Sequence, residues 1–365
     1  ACGVSGSDTM DDDNVFRLGA IGPLTGDVSV YGISTTNAIK MAVEEVNAAG
    51  GINGQQIKLT LLDDTGDLTE ATNAYERLVS NNKVDAIIGA VTSGPTLGVA
   101  QRAADDGMPL ITPTGTADSL TIGMPTTFRT CFYDSYQGIA MANYLPKKGY
   151  KTVAVLYDNS DEYSVALSNA FIKEAPNTGL TITAQESFGS KDTDFKAQLT
   201  KIVASNPEVL YIPAYYETNA MILLQAKEAG FEGLICGGDG WDGILTQFKD
   251  NPKTADGVIF TNHYSPYDED PVVKTFVENY RKKYNEDHTS FSALGYDSVY
   301  LLKQAVEEAG SKDKAKIIEA LEKISFTGVT GSFQFDENHN PKKSVTFVEV
   351  KDGIYSLESK QDATE

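Results

Sequence analysis

Two loops of this 365-residue chain combine hydroxyl side chains with small residues where an anion could be held. Thr92-Ser93-Gly94 follows a strand predicted to end at Gly89 and precedes a helix predicted to begin around Pro95. Thr114-Gly115-Thr116 occupies the same place after the next predicted strand. Backbone N–H groups at a helix N-terminus bind carboxylate or phosphate groups. The alternative is that these residues only cap helices, because Ser and Thr are favoured there.

Asp239 stands at the C-terminal end of another predicted strand, in the segment LICGGDGWDG. A charge-assisted hydrogen bond to a buried ammonium contributes about 1.5–3 kcal/mol, and an ammonium buried without a partner costs more than that. Asp239 is therefore a candidate partner for a cationic group. The alternative is a turn residue, because Asp-Gly sequences are common in turns.

The same segment also fits the G-x-G-x-x-G pattern of dinucleotide-binding loops, over Gly238–Gly243. Asp239 and Asp242 would face the pyrophosphate, and Trp241 stands where a close approach is needed. No acidic partner for the ribose follows at about 20 residues. We therefore reject a dinucleotide site.

Other catalytic signatures do not occur in the sequence. The three histidines are scattered and have neither metal-ligand spacing nor a partnered nucleophile: His263, His288 and His339. Asp63 and Asp64 are neighbours that point to opposite sides of a strand, which makes them poor acid–base partners. G-x-S-x-G, Walker A and H-E-x-x-H sequences are absent. We expect no enzyme, no cofactor and no metal site.

Alternating strands and helices must position these loops. From Leu18 to Asp64 the pattern predicts a strand over Leu18–Ile21, a helix that starts after Thr35 or Thr36, a stop at Gly50-Gly51 and a second strand. A parallel sheet follows from such a crossover. The alternation continues with strands over Ala86–Gly89, Leu110–Thr112, Thr152–Tyr157, Ile182–Ser187, Val209–Pro213 and Leu234–Gly237, and with helices over Pro95–Asp106, Tyr163–Glu174, Phe195–Ser205 and Ala220–Ala229.

The pattern changes after Phe260. Long amphipathic helices are predicted there, followed by strands and a hairpin over Gly331–Tyr355; the helices are Pro271–Tyr284, Ser292–Ala309 and Ala315–Lys323. A chain of this length with 41% hydrophobic residues can bury two medium cores, so two α/β domains are expected.

Charge and hydropathy exclude two classes of partner. With 51 acidic and 30 basic side chains, the formal charge of −21 repels phosphate backbones, so we expect no nucleic-acid binding. No apolar run approaches the roughly 20 residues needed to span a bilayer. Cys131 and Cys236 lie in separate segments and are expected to be buried small hydrophobes, with no disulfide framework.

The N-terminal segment of residues 1–14 is small-residue and acidic, and we expect a disordered tether. Cys2 followed by Gly3 resembles the mature end of a bacterial lipoprotein, whose cysteine is lipidated after the signal peptide is removed. A cysteine present there by chance is the alternative.

An ordered series of segments resembles the branched-chain amino-acid-binding proteins, the leucine/isoleucine/valine receptors of bacterial ABC importers. The segments are IGPLTGDVSVYG, NAAGGINGQQIKL, LLDD, IIGAVTSGPT, ITPTGTA, FRTCFYDSYQG and ALGYDSVYLL, and the match runs from about Val15 to about Val350. The resemblance implies an α/β type I periplasmic binding protein fold, with two Rossmann-like lobes of mostly parallel sheets joined by a three-segment hinge.

The resemblance also implies domain boundaries. The crossings fall near Asp134, Asn262 and Asp336–Asn340. Lobe 1 would comprise residues 15–134 and 263–338, and lobe 2 residues 135–262 and 339–365. The ligand would bind in the cleft, and the lobes would close over it.

The resemblance assigns roles to individual residues. Ser93, Thr114 and Thr116 match positions that hold the ligand carboxylate, and Asp239 matches an acidic position, glutamate in the family, that holds the ammonium. The pocket for the ligand side chain would be walled by aromatic residues: Tyr31, Tyr163, Tyr215 and Phe291, with Trp241 near Asp239. Each of these aromatic residues is also plausible as ordinary packing.

The function implied is that of a monomeric, lipid-anchored extracytoplasmic receptor, or a periplasmic one, which captures Leu, Ile or Val and delivers it to an ABC importer permease. The alternative is a receptor of the same fold for amides, urea, aromatic acids or another amino acid. A hydrolase and a signalling sensor are distant alternatives. Neither a helix-turn-helix pattern before Val15 nor a membrane-spanning pattern after Tyr355 is present, so we expect transport rather than signalling.

Overall fold

The computed structural model describes residues 14–265, 268–286 and 289–361, and the chain divides into two compact units. Unit 1 takes in the chain up to Gly115, then Ser119–Cys131 and Thr275–Lys342. Unit 2 takes in Thr116–Asp118, Phe132–Lys274 and the chain from Lys343. Cys2 and His288 lie outside the described residues.

Unit 1 contains a five-stranded parallel sheet with strand order β2-β1-β3-β4-β5. The strands are β1 (Val15–Gly22), β2 (Gln56–Asp63), β3 (Ala86–Ile88), β4 (Leu110–Thr112) and β5 (Thr127–Arg129). The helices between them are α1 (Ser29–Ala48), α2 (Leu68–Ser80) and α3 (Ser93–Asp106). The inner strands β3 and β4 are short, fully buried and mainly apolar, as is usual where helices cover both faces.

The C-terminal part of unit 1 adds further helices. They are α8 (Pro271–Tyr284), which begins in unit 2, α9 (Ser290–Ala309) and α10 (Lys314–Lys323), and a hairpin of β11 (Ser325–Gly328) and β12 (Gly331–Gln334) follows. Leu301, Leu302 and Val306 of α9 pack with Phe16 and Leu18 of β1 in one buried cluster. The late segment therefore completes the core begun by the first strand.

Unit 2 contains a seven-stranded sheet with strand order β14-β13-β10-β9-β8-β6-β7. It is built from β6 (Thr152–Asp158), β7 (Thr181–Phe188), β8 (Val209–Tyr211), β9 (Leu234–Gly237), β10 (Ile259–Asn262), β13 (Val345–Lys351) and β14 (Ile354–Gln361). Pairs within β6–β10 are parallel, whereas β13 pairs antiparallel with β10 and β14. Its helices are α4 (Asp134–Lys147), α5 (Glu162–Glu174), α6 (Lys196–Ala204) and α7 (Tyr216–Glu228).

The predicted α/β class and mostly parallel sheets are confirmed, and several elements extend or add to the prediction. Helix α1 begins at Ser29, not after Thr35. The hydroxyls of Thr35 and Thr36 donate to backbone carbonyls one turn earlier, so these residues lie inside the helix and do not cap its start. The elements that were not predicted at all are α2, α4, β5, β10 and β11. The three strands among them have only three or four residues, too few for a clear periodic pattern.

The unit boundaries in the structure differ from the boundaries implied by the resemblance. Residues 263–274 go with unit 2, where the Asp268 carboxylate lies 4.0 Å from the Lys360 ammonium of β14. Residues 339–342 go with unit 1, where the His339 ring stacks on Phe128 with a centroid separation of 3.9 Å.

Cys131 and Cys236 are buried, as the sequence predicts, and neither forms a disulfide within the described part of the chain. No helix within the described ranges has the length and apolar composition needed to cross a bilayer.

Candidate functional site

Ser93 begins helix α3 directly after the loop that follows β3, and only 1% of its surface is exposed. Thr92 is the N-cap residue, with an extended backbone, but its side chain makes no capping hydrogen bond. The first N–H groups of a helix have no partner within the helix. The first turn of α3 therefore offers backbone donors that Thr92 does not occupy, which is the arrangement required for anion binding.

The loop after β4 is fixed by hydroxyl groups. The Thr114 hydroxyl donates to the Val91 carbonyl at 2.5 Å, and the Thr112 hydroxyl donates to the Ala90 carbonyl at 2.8 Å. These bonds tie the loop after β4 to the loop after β3, and β3 and β4 are neighbours in the sheet. Unit 1 thus brings Ser93 and Thr114 to adjacent strand ends, where ligands bind in open α/β sheets.

Thr116 belongs to unit 2, not to the same unit as Ser93 and Thr114. Its carbonyl accepts a 2.7 Å hydrogen bond from the N–H of Asp134, the first residue of α4. This bond attaches Thr116 to the start of α4, and the side chain is 1% exposed.

Tyr31 and Phe291 form a buried aromatic pair in unit 1, with ring centroids 4.4 Å apart and planes inclined at 34°. The pair depends on a close approach of α1 and α9. A Cβ atom on Gly295 would lie 2.7 Å from the Thr35 carbonyl, so only glycine permits this helix spacing. Because residues four apart lie on one helix face, the same approach brings Phe291 beside Tyr31 one turn earlier in both helices.

In unit 2, Asp239 lies at the end of β9, is 1% exposed, and has three side-chain donors around its carboxylate. The Tyr163 hydroxyl donates to Oδ1 at 2.8 Å, and Gln137 Nε2 donates to the same atom at 3.0 Å. His263 Nε2 lies 2.8 Å from Oδ2. A carboxylate can only accept, so this imidazole nitrogen carries the hydrogen. The carboxylate is held in one orientation.

Gly238 and Gly240, on either side of Asp239, permit the close packing of Tyr163. A Cβ atom on Gly238 would lie 2.8 Å from the Tyr163 hydroxyl oxygen and 2.5 Å from Leu167. The N–H of Gly240 donates to the same hydroxyl at 3.0 Å. The glycines of the segment LICGGDGWDG therefore accommodate side chains of this unit, in agreement with the rejection of a dinucleotide loop.

Tyr163 and Tyr215 stack with their centroids 4.6 Å apart and an angle of 14° between planes. Tyr163 opens α5 after β6, and Tyr215 is the N-cap residue of α7 after β8, so both stand at strand ends beside Asp239. Burial and the charge of Asp239 raise the pKa of Tyr163 well above its usual value, so its hydroxyl stays a donor. Trp241 instead packs in the apolar core, and its indole N–H donates to the Ile212 carbonyl at 2.8 Å.

Gln137 is a residue that the sequence did not indicate. Its Nε2 donates at 3.0 Å to Asp239 and at 3.0 Å to Oδ1 of Asp134. Its Oε1 accepts from the Asp239 N–H at 3.2 Å and from the Thr261 hydroxyl at 2.7 Å. The only available signal was the i, i+3 spacing of Asp134 and Gln137 in YDSYQG, which places both on one face of a helix.

His263 was noted in the sequence without a partner. Strands β9 and β10 are parallel, with Phe260 opposite Gly237, so the residues that follow the two strands emerge side by side. This register brings His263 to Asp239. Burial lowers the pKa of His263, although the hydrogen bond to Asp239 acts in the opposite direction, so the imidazole is held neutral near pH 7.

Unit 1 presents hydroxyl and backbone donors at its strand ends. Unit 2 presents a carboxylate that accepts a hydrogen bond from Tyr163, whose ring stacks on Tyr215. Among the described residues, no group of three or more His, Cys, Asp or Glu side chains is arranged to hold a metal ion.

Comparison with known proteins gives consistent matches. The family model described as periplasmic binding protein matches residues 15–354. The structure of a leucine-binding protein, LivK, from Thermotoga maritima is 37% identical, with a TM-score of 0.90 over 95% of this chain and 99% of that chain. The branched-chain amino acid transporter substrate-binding protein LivJ from Streptococcus pneumoniae, solved in complex with isoleucine, is 33% identical, with a TM-score of 0.88 over the same shares. The Leu/Ile/Val-binding protein homolog 3 of Brucella melitensis is 31% identical over 309 residues, which cover 84% of this chain and 83% of the relative.

Proposed function

This chain belongs to the periplasmic binding protein family, and we propose that it is the extracytoplasmic receptor of an ABC importer for the branched-chain amino acids Leu, Ile and Val. The observation that carries the proposal is the buried Asp239 carboxylate, which three side-chain donors hold in place. Likeness to the isoleucine-bound LivJ structure supports the ligand class.

In this proposal, the ligand ammonium binds to Asp239. Ser93, Thr114 and Thr116 bind the ligand carboxylate through hydroxyl and N–H groups. A charge-assisted hydrogen bond to the ammonium contributes about 1.5–3 kcal/mol. The carboxylate of Asp239 already accepts three hydrogen bonds and has about four acceptor sites, so it can still accept one from the ligand.

The aromatic pairs are proposed to contact the ligand side chain: Tyr31 with Phe291, and Tyr163 with Tyr215. Burying a leucine-sized side chain contributes about 1.5–3 kcal/mol. One methylene in an apolar pocket discriminates by only about 1–3 kcal/mol, so Leu, Ile and Val should all bind, and polar amino acids should be excluded. Capture by closure of two lobes, as the resemblance implies, is part of the proposal.

The test is calorimetric titration of the purified protein with Leu, Ile and Val, and with an amide, urea and benzoate as competing ligand classes. Binding confined to branched-chain amino acids supports the proposal. Asp239→Ala should weaken leucine binding by about 2–5 kcal/mol, because an ammonium would be buried without its partner. Asp256→Ala is a matched control, since Asp256 accepts from the Gly353 N–H away from the network. Unchanged leucine affinity in Asp239→Ala would overturn the ammonium assignment.

Attachment to the outer face of the cytoplasmic membrane through a lipid on Cys2 is a separate part of the proposal, based on the Cys2-Gly3 sequence. Labelled palmitate supplied to a bacterial host that expresses the full precursor should enter the protein, and Cys2→Ser should abolish the label. Equal labelling of the two forms would refute the anchor.

A further inference from the structure

The inference concerns the two carboxyl groups that share the amide of Gln137. Gln137 Nε2 lies 3.0 Å from Oδ1 of Asp134 and 3.0 Å from Oδ1 of Asp239. The two oxygen atoms therefore cannot lie further apart than twice that distance. Both carboxyl groups are 1% exposed, so water does not screen one from the other.

The titratable and charged groups around Asp134 come from several elements. The charge of Asp239, at the end of β9, raises the pKa of Asp134, as does the charge of Asp118. The phenols of Tyr163 on α5 and Tyr211 on β8 are fully buried, and burial raises their pKa values well above the usual range, so both remain neutral. The charged groups that act on the pKa of His263 are Asp239, Asp242 and Lys343, all of them buried. Lys343 is the cation in this set.

Two ionised carboxylates at such a separation repel each other strongly in the interior. Burial raises the pKa of Asp134 well above its usual value, and the charge of Asp239 adds to the shift, while Gln137 and Thr116 oppose it. Oδ2 of Asp134 has no hydrogen-bond partner among the residues that the structure describes. An ionised Asp134 would therefore be a buried charge with one acceptor atom unused.

We propose that Asp134 is a second acidic group of the ammonium site, and that it carries a proton in the empty protein and releases this proton to water when the ligand ammonium binds. The proposal rests on the proposed function, because it takes Asp239 as the ammonium partner. The exchange replaces one positive charge, the proton, by another, the ammonium, so the net charge of the buried cluster stays constant. Gln137 holds the two carboxyl groups at the separation that couples them.

The sign of the pH dependence follows from linkage. A nearby cation favours the ionised form of Asp134, so its pKa is lower with ligand than without. Between these two pKa values binding releases a proton, and affinity therefore increases with pH. The slope of log Ka against pH equals the number of protons released, so it rises toward about one, a ten-fold gain per pH unit.

The experiment is titration of the full protein with leucine in buffers of different ionisation enthalpy, from about pH 5.5 to pH 8.5, which yields the protons released per ligand. The wild type should release up to one proton. Asp134→Asn should release none, and its affinity should be flat with pH, because asparagine does not titrate. Asp118→Asn, which removes a carboxyl group beside the same helix start, should still release the proton.

Each outcome of this experiment bears directly on the inference or on the proposed function. Leucine binding with no proton release in the wild type at any pH overturns the inference and leaves the proposed function intact. Proton release that persists in Asp134→Asn also overturns it, because another group would then be its source. Failure of the wild type to bind any branched-chain amino acid is a different result, because it refutes the proposed function itself. The wild-type measurement needs no variant, so a poorly folding Asp134→Asn does not leave the question open.

Discussion

The two units present polar groups at the ends of their strands in different ways. In unit 1, the loops after β3 and β4 are held by hydroxyl-to-carbonyl bonds between residues 22 and 23 positions apart, and every group in these bonds is neutral. In unit 2, Asp239 is held by side chains that lie 102, 76 and 24 positions away, and the set includes two carboxyl groups and an imidazole. The hydrogen bonds of unit 1 thus join neutral groups that are close in the sequence, whereas those of unit 2 join residues far apart in the sequence and include titratable groups.

This difference indicates how sensitive each unit is to mutation and to pH. A neutral hydroxyl or backbone donor keeps its hydrogen bond at any pH between about 5 and 9, since it does not titrate there. A buried carboxyl network is costly when any member is lost, because the remaining polar atoms have no water to replace it. Unit 2 should therefore show the larger mutational effects and all of the pH dependence of binding.

The largest expected effect is that of Gln137→Leu. The substitution removes all four hydrogen bonds of the amide, to Asp134, to the carboxylate and N–H of Asp239, and to Thr261. Leaving one buried polar group unsatisfied costs about 1–3 kcal/mol, so we expect a loss of about 3–5 kcal/mol in the free energy of unfolding and at least about 100-fold in leucine affinity. Thermal unfolding and calorimetry measure the two effects.

The control is Asn143→Ala on the same helix. The Asn143 side chain donates only to the Ile139 carbonyl on the exposed side, so its removal should change stability by less than about 0.5 kcal/mol. If Gln137→Leu behaves like Asn143→Ala, the amide does not organise the network, and the contrast between the units fails.

The same contrast between local and distant contacts decides which parts of the candidate site can be predicted from the sequence. Loops such as Thr92-Ser93-Gly94 are visible because a strand, a turn signal and a helix start are local patterns, and the structure places Ser93 at the start of a helix. Asp239 is visible because it stands at a strand end between glycines. In both cases, neighbouring residues carry the information.

The partners of Asp239 are not visible in the same way. His263 reaches it only through the register of β9 and β10, and β10 is a four-residue strand that the pattern did not reveal. Gln137 reaches it from α4, a helix whose mean hydropathy and periodicity did not reveal it either. Contacts between residues so far apart along the chain depend on tertiary packing, on which local propensity carries little information.

The smallest effect belongs to unit 1. Ser93→Ala removes one hydroxyl at the start of α3 and leaves the backbone N–H groups in place, so leucine binding should weaken by about 1–2 kcal/mol, roughly ten-fold. The loss should be the same from about pH 5.5 to pH 8.5, because serine does not titrate there. Thr92→Val is the matched control. The Thr92 side chain makes no capping bond, so this change should cost less than about 0.5 kcal/mol. A Ser93→Ala penalty that varies with pH would contradict the division between a neutral and a titratable half of the site, because the carboxylate end would then be coupled to the network around Asp134.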